Sequence, residues 1–468
     1  MRDATGRPPL RILLDIPEEY RSRAEWVLSH ASTVWGVPVD AAPSSPAADV
    51  AYSATSGSAP AAWRFDPSCY QPGGSFGVQS HGGALVWAGG TESPDLLGGI
   101  YRLLTLLDES SIPSEQRNAL GVFNTAALPE SRRAVLDRPL VEHHLDELWK
   151  LVMEVRPDLQ RVPRWPDGNR WACVITHDTD AVSLGRTREL AYNAAKLIVR
   201  REPVRLTMML AGLRHRRAPI SDPYYGFPEW RSLEAARDVR SAFYLFVLPK
   251  GMRRHVHDSR SSVTDPGIDL APLREMADAG WEFGLHASIH TRTEPEGFRR
   301  SRELLEAHLD RPIHGLRHHY WALDWKRPWQ TFHQHAAAGF RYDSSVAWRD
   351  VPGYRAGTSL PYRPWDPEQR RPIDLWELPA AIMDGHFLEH RSTGTEESVL
   401  SVIEETRSVG GMLVLNWHTE SANQAFTRAG FRDAFERILT KVSEAGDAWI
   451  TTPVQLLDHW ETRAALGR

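Results

Sequence analysis

Between residues 171 and 450 short apolar runs recur at 172–175, 242–248, 281–285, 313–316, 339–342, 375–378, 412–415 and 449–450. Segments of helical spacing lie between them, at 270–279, 298–309, 396–409 and 430–445. Parallel strands need a long crossover, usually a helix, so this alternation predicts a parallel α/β sheet, and seven or eight strands are enough to curl it into a barrel.

The first 155 residues follow a different pattern. Residues 11–16 read as a strand, and Ala24, Val27, Leu28, Ala31 and Val34 keep one helical face after it. Residues 41–61, rich in Ala, Pro, Ser and Gly, read as a surface loop. Leu96, Leu97, Ile100, Leu103, Leu104 and Leu107 form an apolar helical stripe starting after Ser93-Pro94-Asp95, a capped start. Val141, Leu145, Leu148 and Val152 mark a further helix, on which His143-His144 reads as a solvated pair. Residues 156–170 hold three prolines and a glycine and divide the chain. The organisation expected is a smaller N-terminal α/β domain over 1–155, a linker over 156–170 and a barrel over 171–468.

Composition narrows the class without changing it. A chain of 468 residues exceeds what one core usually serves, and 41% hydrophobic with 25% charged residues is ordinary globular usage. The net charge of -5 gives no reason to expect nucleic acid or an anionic membrane as partner, although it says nothing of a local basic patch. Two cysteines, Cys69 and Cys173, build neither a disulfide framework nor a thiolate metal site. No apolar run reaches the length of a membrane span, and residues 1–7 lead into the first strand without the apolar core of a signal peptide. A cytoplasmic protein is therefore expected. What stands out is 18 Trp and 20 His.

Many of these rings fall at strand ends, where a parallel barrel places its active site. After Val174-Ile175-Thr176 come His177-Asp178-Thr179-Asp180, and after 281–285 come His286 and, four residues on, His290. Gly315-Leu316 leads into Arg317-His318-His319-Tyr320-Trp321, and 413–415 into Asn416-Trp417-His418 with Glu420 beyond. Singly, an Asp at a strand end is a turn-former, a His pair arises by chance among so many, and a Trp is core. Together they offer two imidazoles and a carboxylate, a set that suits Zn²⁺ or another first-row divalent ion and leaves positions open. Asp178 and Asp180 can divide the carboxylate duties, one on the metal and one free as a base. His418, arriving from another strand, can serve as an acid.

Thr176-His177-Asp178-Thr179-Asp180, His286-Ala287-Ser288-Ile289-His290, Arg317-His318-His319-Tyr320 and Asn416-Trp417-His418 resemble, in order, the successive motifs of the NodB-like polysaccharide deacetylases. The resemblance covers about residues 170–455. It implies a distorted (β/α) barrel of seven or eight strands that removes N-acetyl or O-acetyl groups from a sugar or glycan precursor with a divalent metal, Zn²⁺ foremost and Co²⁺, Mn²⁺ or Ni²⁺ as substitutes. Carried across, it makes Asp178 the base and His418 the acid, with Arg317 orienting the base and the Tyr320 amide holding the oxyanion. Asp180, His286 and His290 become the metal ligands, and Trp417, Trp321 and His318 the substrate pocket. His319 stands where the family has proline, and Asp343 is the candidate for orienting His418. Residues 353–358, Gly-Tyr-Arg-Ala-Gly-Thr, resemble a stretch of a branch with an added N-terminal domain. Two other functions fit the same residues: hydrolysis of a non-sugar amide or cyclic imide, and catalytically silent carbohydrate binding.

Overall fold

Residues 171–175 are apolar at every position because both faces of their strand are covered, the pattern of a parallel sheet under helices, and the polar residues 176–179 continue the same strand. In the computed structural model, which describes residues 9–42, 47–54, 61–74, 76–89, 93–389 and 392–466, this stretch is wholly buried.

The N-terminal region is built on β1 (Leu10–Asp15), β2 (Val39–Ala41), β3 (Val50–Ser53) and β4 (Ala61–Arg64), parallel in the order β2-β1-β3-β4. Helix α1 (Glu18–Trp35) follows β1, and the antiparallel pair β5 (Phe76–His81) and β6 (Ala84–Gly89) precedes α2 (Leu96–Leu104). Asp95 caps α2, its side chain accepting from the Gly98 amide at 2.7 Å. Two short expectations fail here. The stretch 41–61 is not one loop: β3 lies inside it, because Val50, Ala51 and Tyr52 can bury themselves beside β1, while 43–46 and 55–60 lie outside the described residues. His144 is not solvated. On α4 (Leu140–Val155), which follows the short α3 (Glu130–Arg133), it is buried, its Nε2 accepts from the Trp87 amide at 2.8 Å, and its Nδ1 meets the Leu96 carbonyl at 3.0 Å. Burial pushes its pKa down to about 4, so it is a neutral core imidazole.

Among the described residues the second sheet has nine strands, every pairing parallel. At its centre are β7 (Trp171–Thr179), β8 (Ala242–Phe246), β9 (Glu282–Ala287) and β10 (Gly315–His318). Beyond β10 lie Tyr342–Asp343 and Trp376–Glu377; on the other side of β7 lie Met412–Asn416 and Ile382–Met383, while Ala448–Thr451 also pairs with β7. The two edge strands, Trp376–Glu377 and Ile382–Met383, are joined by 378–381 alone, with Ala380 donating to Val346 and Ala381 to Val414. The sheet is therefore curled into a distorted (β/α) barrel whose gap is spanned by a short connection. Helices Ala271–Asp278, Pro295–Leu309, Glu396–Ser408 and Phe431–Glu444 occupy the segments read as helical.

One hydrophobic core runs through both regions, from Leu10 and Trp35 to Leu415 and Trp460. Arg463, in the last helix (Pro453–Leu466), donates to the Thr33 and Val34 carbonyls at 2.7 and 2.9 Å, placing a cation on the negative end of α1. Gly36 ends α1 at φ 67, where an added Cβ would meet Val162 at 2.7 Å. The 353–358 stretch makes the other junction: Tyr354 donates to the Leu136 carbonyl, and Arg355 holds Glu109 through paired bonds of 2.9 and 2.6 Å. Both partners are nearly fully buried. Removing one charge of such a pair strands the other in a dry interior, so Glu109→Gln is expected to lower unfolding free energy by about 3–5 kcal/mol in urea denaturation.

Cys69 and Cys173 are both buried and free. Among the described residues no helix is long and apolar enough to cross a membrane.

Candidate metal centre and active site

Side chains alternate along a strand, so residues two apart share a face. On β7 this puts Thr176, Asp178 and, one step past the strand, Asp180 in a row at the carboxyl end. Register does the rest: Asn416 pairs with Thr176, and Arg317 of β10 pairs with His286 of β9. His319, two residues beyond Arg317, thereby comes over the same mouth, its ring centroid 5.0 Å from that of His286.

His286 Nε2 lies 3.1 Å and His319 Nε2 3.3 Å from the same oxygen, Asp180 Oδ1. Donor atoms of Asp180, His286 and His319 all fall within 4.8 Å of one another, the arrangement of a facial two-His, one-carboxylate set. His290 is outside this cluster. Two histidines four apart share a face only while one regular element, helix or strand, runs through both; here the strand ends at Ala287 and a short 3₁₀ turn (Ile289–Thr293) follows, and the His290 ring sits 5.0 Å from His255. That turn is pinned by Asp258, which accepts from the Ser288 hydroxyl at 2.6 Å and the Ile289 amide at 2.9 Å.

The donor chemistry fits a divalent cation. His286 Nδ1 is 3.1 Å from the Arg317 carbonyl, an interaction that fixes the ring with Nε2 forward as ligand atom. Burial lowers the His319 pKa, but the Asp180 and Asp258 carboxylates outweigh it and raise it to about 9.

Around this cluster sit two carboxylate pairs. Asp178 Oδ1 accepts from Arg317 Nη1 at 3.1 Å and Oδ2 from Asn416 Nδ2 at 2.8 Å. Burial would raise its pKa, yet Arg317, His286 and His418 together hold it below the usual carboxylate value. Arg317 is itself immobilised, donating to Thr176 Oγ1 at 2.7 Å, to the Ser344 carbonyl at 2.9 Å and to Ser344 Oγ at 2.8 Å. His418 Nδ1 lies 2.8 Å from Asp384 Oδ1, and Nε2 faces Asp180 Oδ2 at 3.6 Å. Burial again opposes charge, but Asp384 is held to about 2 by His418, and His418 is raised well above its ordinary value by Asp384 and Asp180.

Asp384 replaces Asp343 as the partner of His418. Asp343 is buried beside Ser345, which donates to it at 2.6 Å, and its pKa is raised to about 6 by burial. Asp384 follows the two-residue strand Ile382–Met383, too short to leave a hydrophobic pattern. His318 also lies elsewhere. One residue out of phase with Arg317, it points into the helical layer and meets His335 at 3.1 Å beside Phe298. Trp417 is likewise out of phase with Asn416: fully buried, it donates to the Phe431 carbonyl at 2.8 Å and packs on Phe435. Trp321 stays near the site, its ring 5.3 Å from the Arg317 guanidinium. His177 is structural, bridging the Trp417 carbonyl at 3.0 Å and Glu234 at 2.8 Å.

Tyr320 and Trp321 both take left-handed backbone, at φ 59 and 53. Non-glycine residues there cost about 1–3 kcal/mol each and persist only when the surroundings enforce them. Here Trp325 Nε1 donates to the Trp321 carbonyl at 2.8 Å and the Arg349 guanidinium covers the Tyr320 ring at 5.0 Å. This strained turn sets both the His319 ring and the Tyr320 amide.

No family model and no curated protein matches the chain. Solved structures do. A Mycobacterium smegmatis protein described as a polysaccharide deacetylase is 21% identical, the match covering 64% of this chain and 93% of that one at a TM-score of 0.42. A Pseudomonas aeruginosa PAO1 protein of the same description is 15% identical over 66% of this chain and 96% of its own, at 0.41. The chain is similar to polysaccharide deacetylases. It is also similar to the PuuE allantoinase, 16% identical over 66% of this chain and 95% of that one, at 0.42.

Proposed function

We propose that this protein is a metal-dependent hydrolase that removes an acetyl group from an N-acetylated sugar or glycan precursor. The observation that carries the reading is the convergence of Asp180, His286 and His319 donor atoms within 4.8 Å at one mouth of the barrel, flanked by the Asp178 and His418 pairs. Asp180, His286 and His319 would hold the cation, Zn²⁺ being the best match to the ligand set, and when bound it supplies Lewis-acid polarisation and an acidified water.

The chain's own groups do the rest. As a water oxygen bonds to the acetyl carbon, Asp178 Oδ takes its proton, held in line by Arg317 and Asn416. The Tyr320 amide donates to the oxyanion. His418, kept protonated by Asp384, delivers its proton from Nε2 to the sugar nitrogen, the carbon–nitrogen bond breaks, and acetate and an amino sugar leave. Trp321 contributes an apolar wall beside the acyl group.

Acetate release is the direct measurement, across N-acetylglucosamine polymers, short oligosaccharides and nucleotide-linked sugars. Chelator dialysis is expected to abolish release and added Zn²⁺ to restore it. Turnover of small amides or cyclic imides with none on acetylated sugars would replace this reading by amide hydrolysis, and metal-independent glycan binding without turnover would replace it by carbohydrate binding.

A further inference from the structure

We propose that the hairpin following the candidate metal carboxylate is a docking surface for an anionic lipid bilayer. It consists of α5 (Thr187–Arg200) and α6 (Val204–His215), packed on each other and joined by a turn at Arg201. The proposal does not depend on the deacetylase reading.

The first observation is misplaced apolar surface. Helix α6 turns Met208 and Gly212 inward, where Gly212 lies so close to the Leu184 carbonyl that an added Cβ would sit 2.5 Å from it. On the opposite face Leu206, Leu210 and Leu213, at helical spacing, are 50–58% exposed, and Ile198 and Val199 at the tip of α5 are 76% and 79% exposed. With Ile220 beyond α6, six of the nine exposed large apolar side chains among the described residues fall in this one segment. A hairpin needing only to cover the barrel would expose polar residues there.

Charge is the second observation. Residues 186–217 carry nine Lys and Arg against two Glu, in a chain whose net charge is -5. Arg200 and Arg201 sit at one end of the apolar stripe and Arg214, Arg216 and Arg217 at the other, all exposed and without a salt bridge among the described residues. Apolar side chains bracketed by cations are the signature of a segment lying in a membrane interface, with leucines entering the acyl boundary and arginines on lipid phosphates. A second copy of this chain fits poorly, because a symmetric contact would set arginine against arginine.

The surface adjoins the candidate active site. Arg260 pairs with Glu189 of α5 at 3.0 Å and covers the Tyr192 ring at 3.7 Å, tying α5 to the 253–260 loop. That loop exposes Val256 at 80% between Arg253 and His257, and its Ser259 hydroxyl donates to the Asp180 carbonyl. A bilayer on the hairpin therefore lies beside the mouth of the barrel.

Co-sedimentation with vesicles tests this, using phosphatidylcholine alone and phosphatidylcholine with about one-third phosphatidylglycerol. The intact protein is expected to bind the anionic vesicles only, less tightly as salt rises. Combined Leu206→Ser, Leu210→Ser and Leu213→Ser is expected to weaken binding about tenfold or more, with an unchanged melting curve because these side chains are solvated in the free protein. Arg200→Gln with Arg201→Gln and Arg216→Gln is expected to weaken it too. The proposal is overturned if neither vesicle binds, if both bind equally, if the serine variant binds like the native chain, or if light scattering shows a dimer that the serine variant disperses.

Discussion

Asp178→Asn is expected to reduce acetate release by roughly 10²–10⁴-fold while leaving the bound metal in place. The amide keeps the shape of the carboxylate and can still meet Arg317 and Asn416, which hold Asp178 at 3.1 and 2.8 Å. It cannot take a proton from water. Because Asp178 lies outside the ligand cluster, metal content measured by elemental analysis should match the native protein. A variant with native turnover would show that the base is another group, and one that loses metal would show that Asp178 is itself a ligand.

His319→Ala and His290→Ala separate two assignments of the third metal ligand. The motif order points to His290; the geometry points to His319, whose Nε2 lies 3.3 Å from Asp180 Oδ1. Loss of one of three protein ligands should weaken metal binding by at least the 10–100-fold typical of losing a supporting partner, and activity should fall with it. His319→Ala is therefore expected to purify with little metal and little activity, and His290→Ala with native metal content. Isothermal titration of the metal-stripped proteins with Zn²⁺ measures the difference. The reverse outcome would mean that the loop bearing His290 swings inward when the cation binds.

The strand-end clusters at 176–180, 286–290, 317–321 and 416–418 were legible because chemistry follows directly on hydrophobic runs, and the topology brings those ends to one mouth. Phase within each cluster was harder to read. Arg317 and His319 face the mouth and His318 does not, although all three are adjacent, since the answer depends on where the strand stops alternating and the 3₁₀ turn begins. Asp384 was invisible for another reason: a two-residue strand leaves no periodicity, so its position at a strand end exists only once the sheet has curled. The junction between the N-terminal region and the barrel was equally hidden, because the Glu109–Arg355 pair spans 246 residues.

The parallel α/β architecture, the helices between the strands and the polar clusters that end them can all be read along the chain, because hydrophobic period is a local property. Tertiary structure decided which imidazole joins Asp180 and His286, which carboxylate orients His418 and which face of the α5–α6 hairpin is left bare. Those depend on register between strands and on the turns that follow them, where a shift of a single residue sends a side chain to the opposite face.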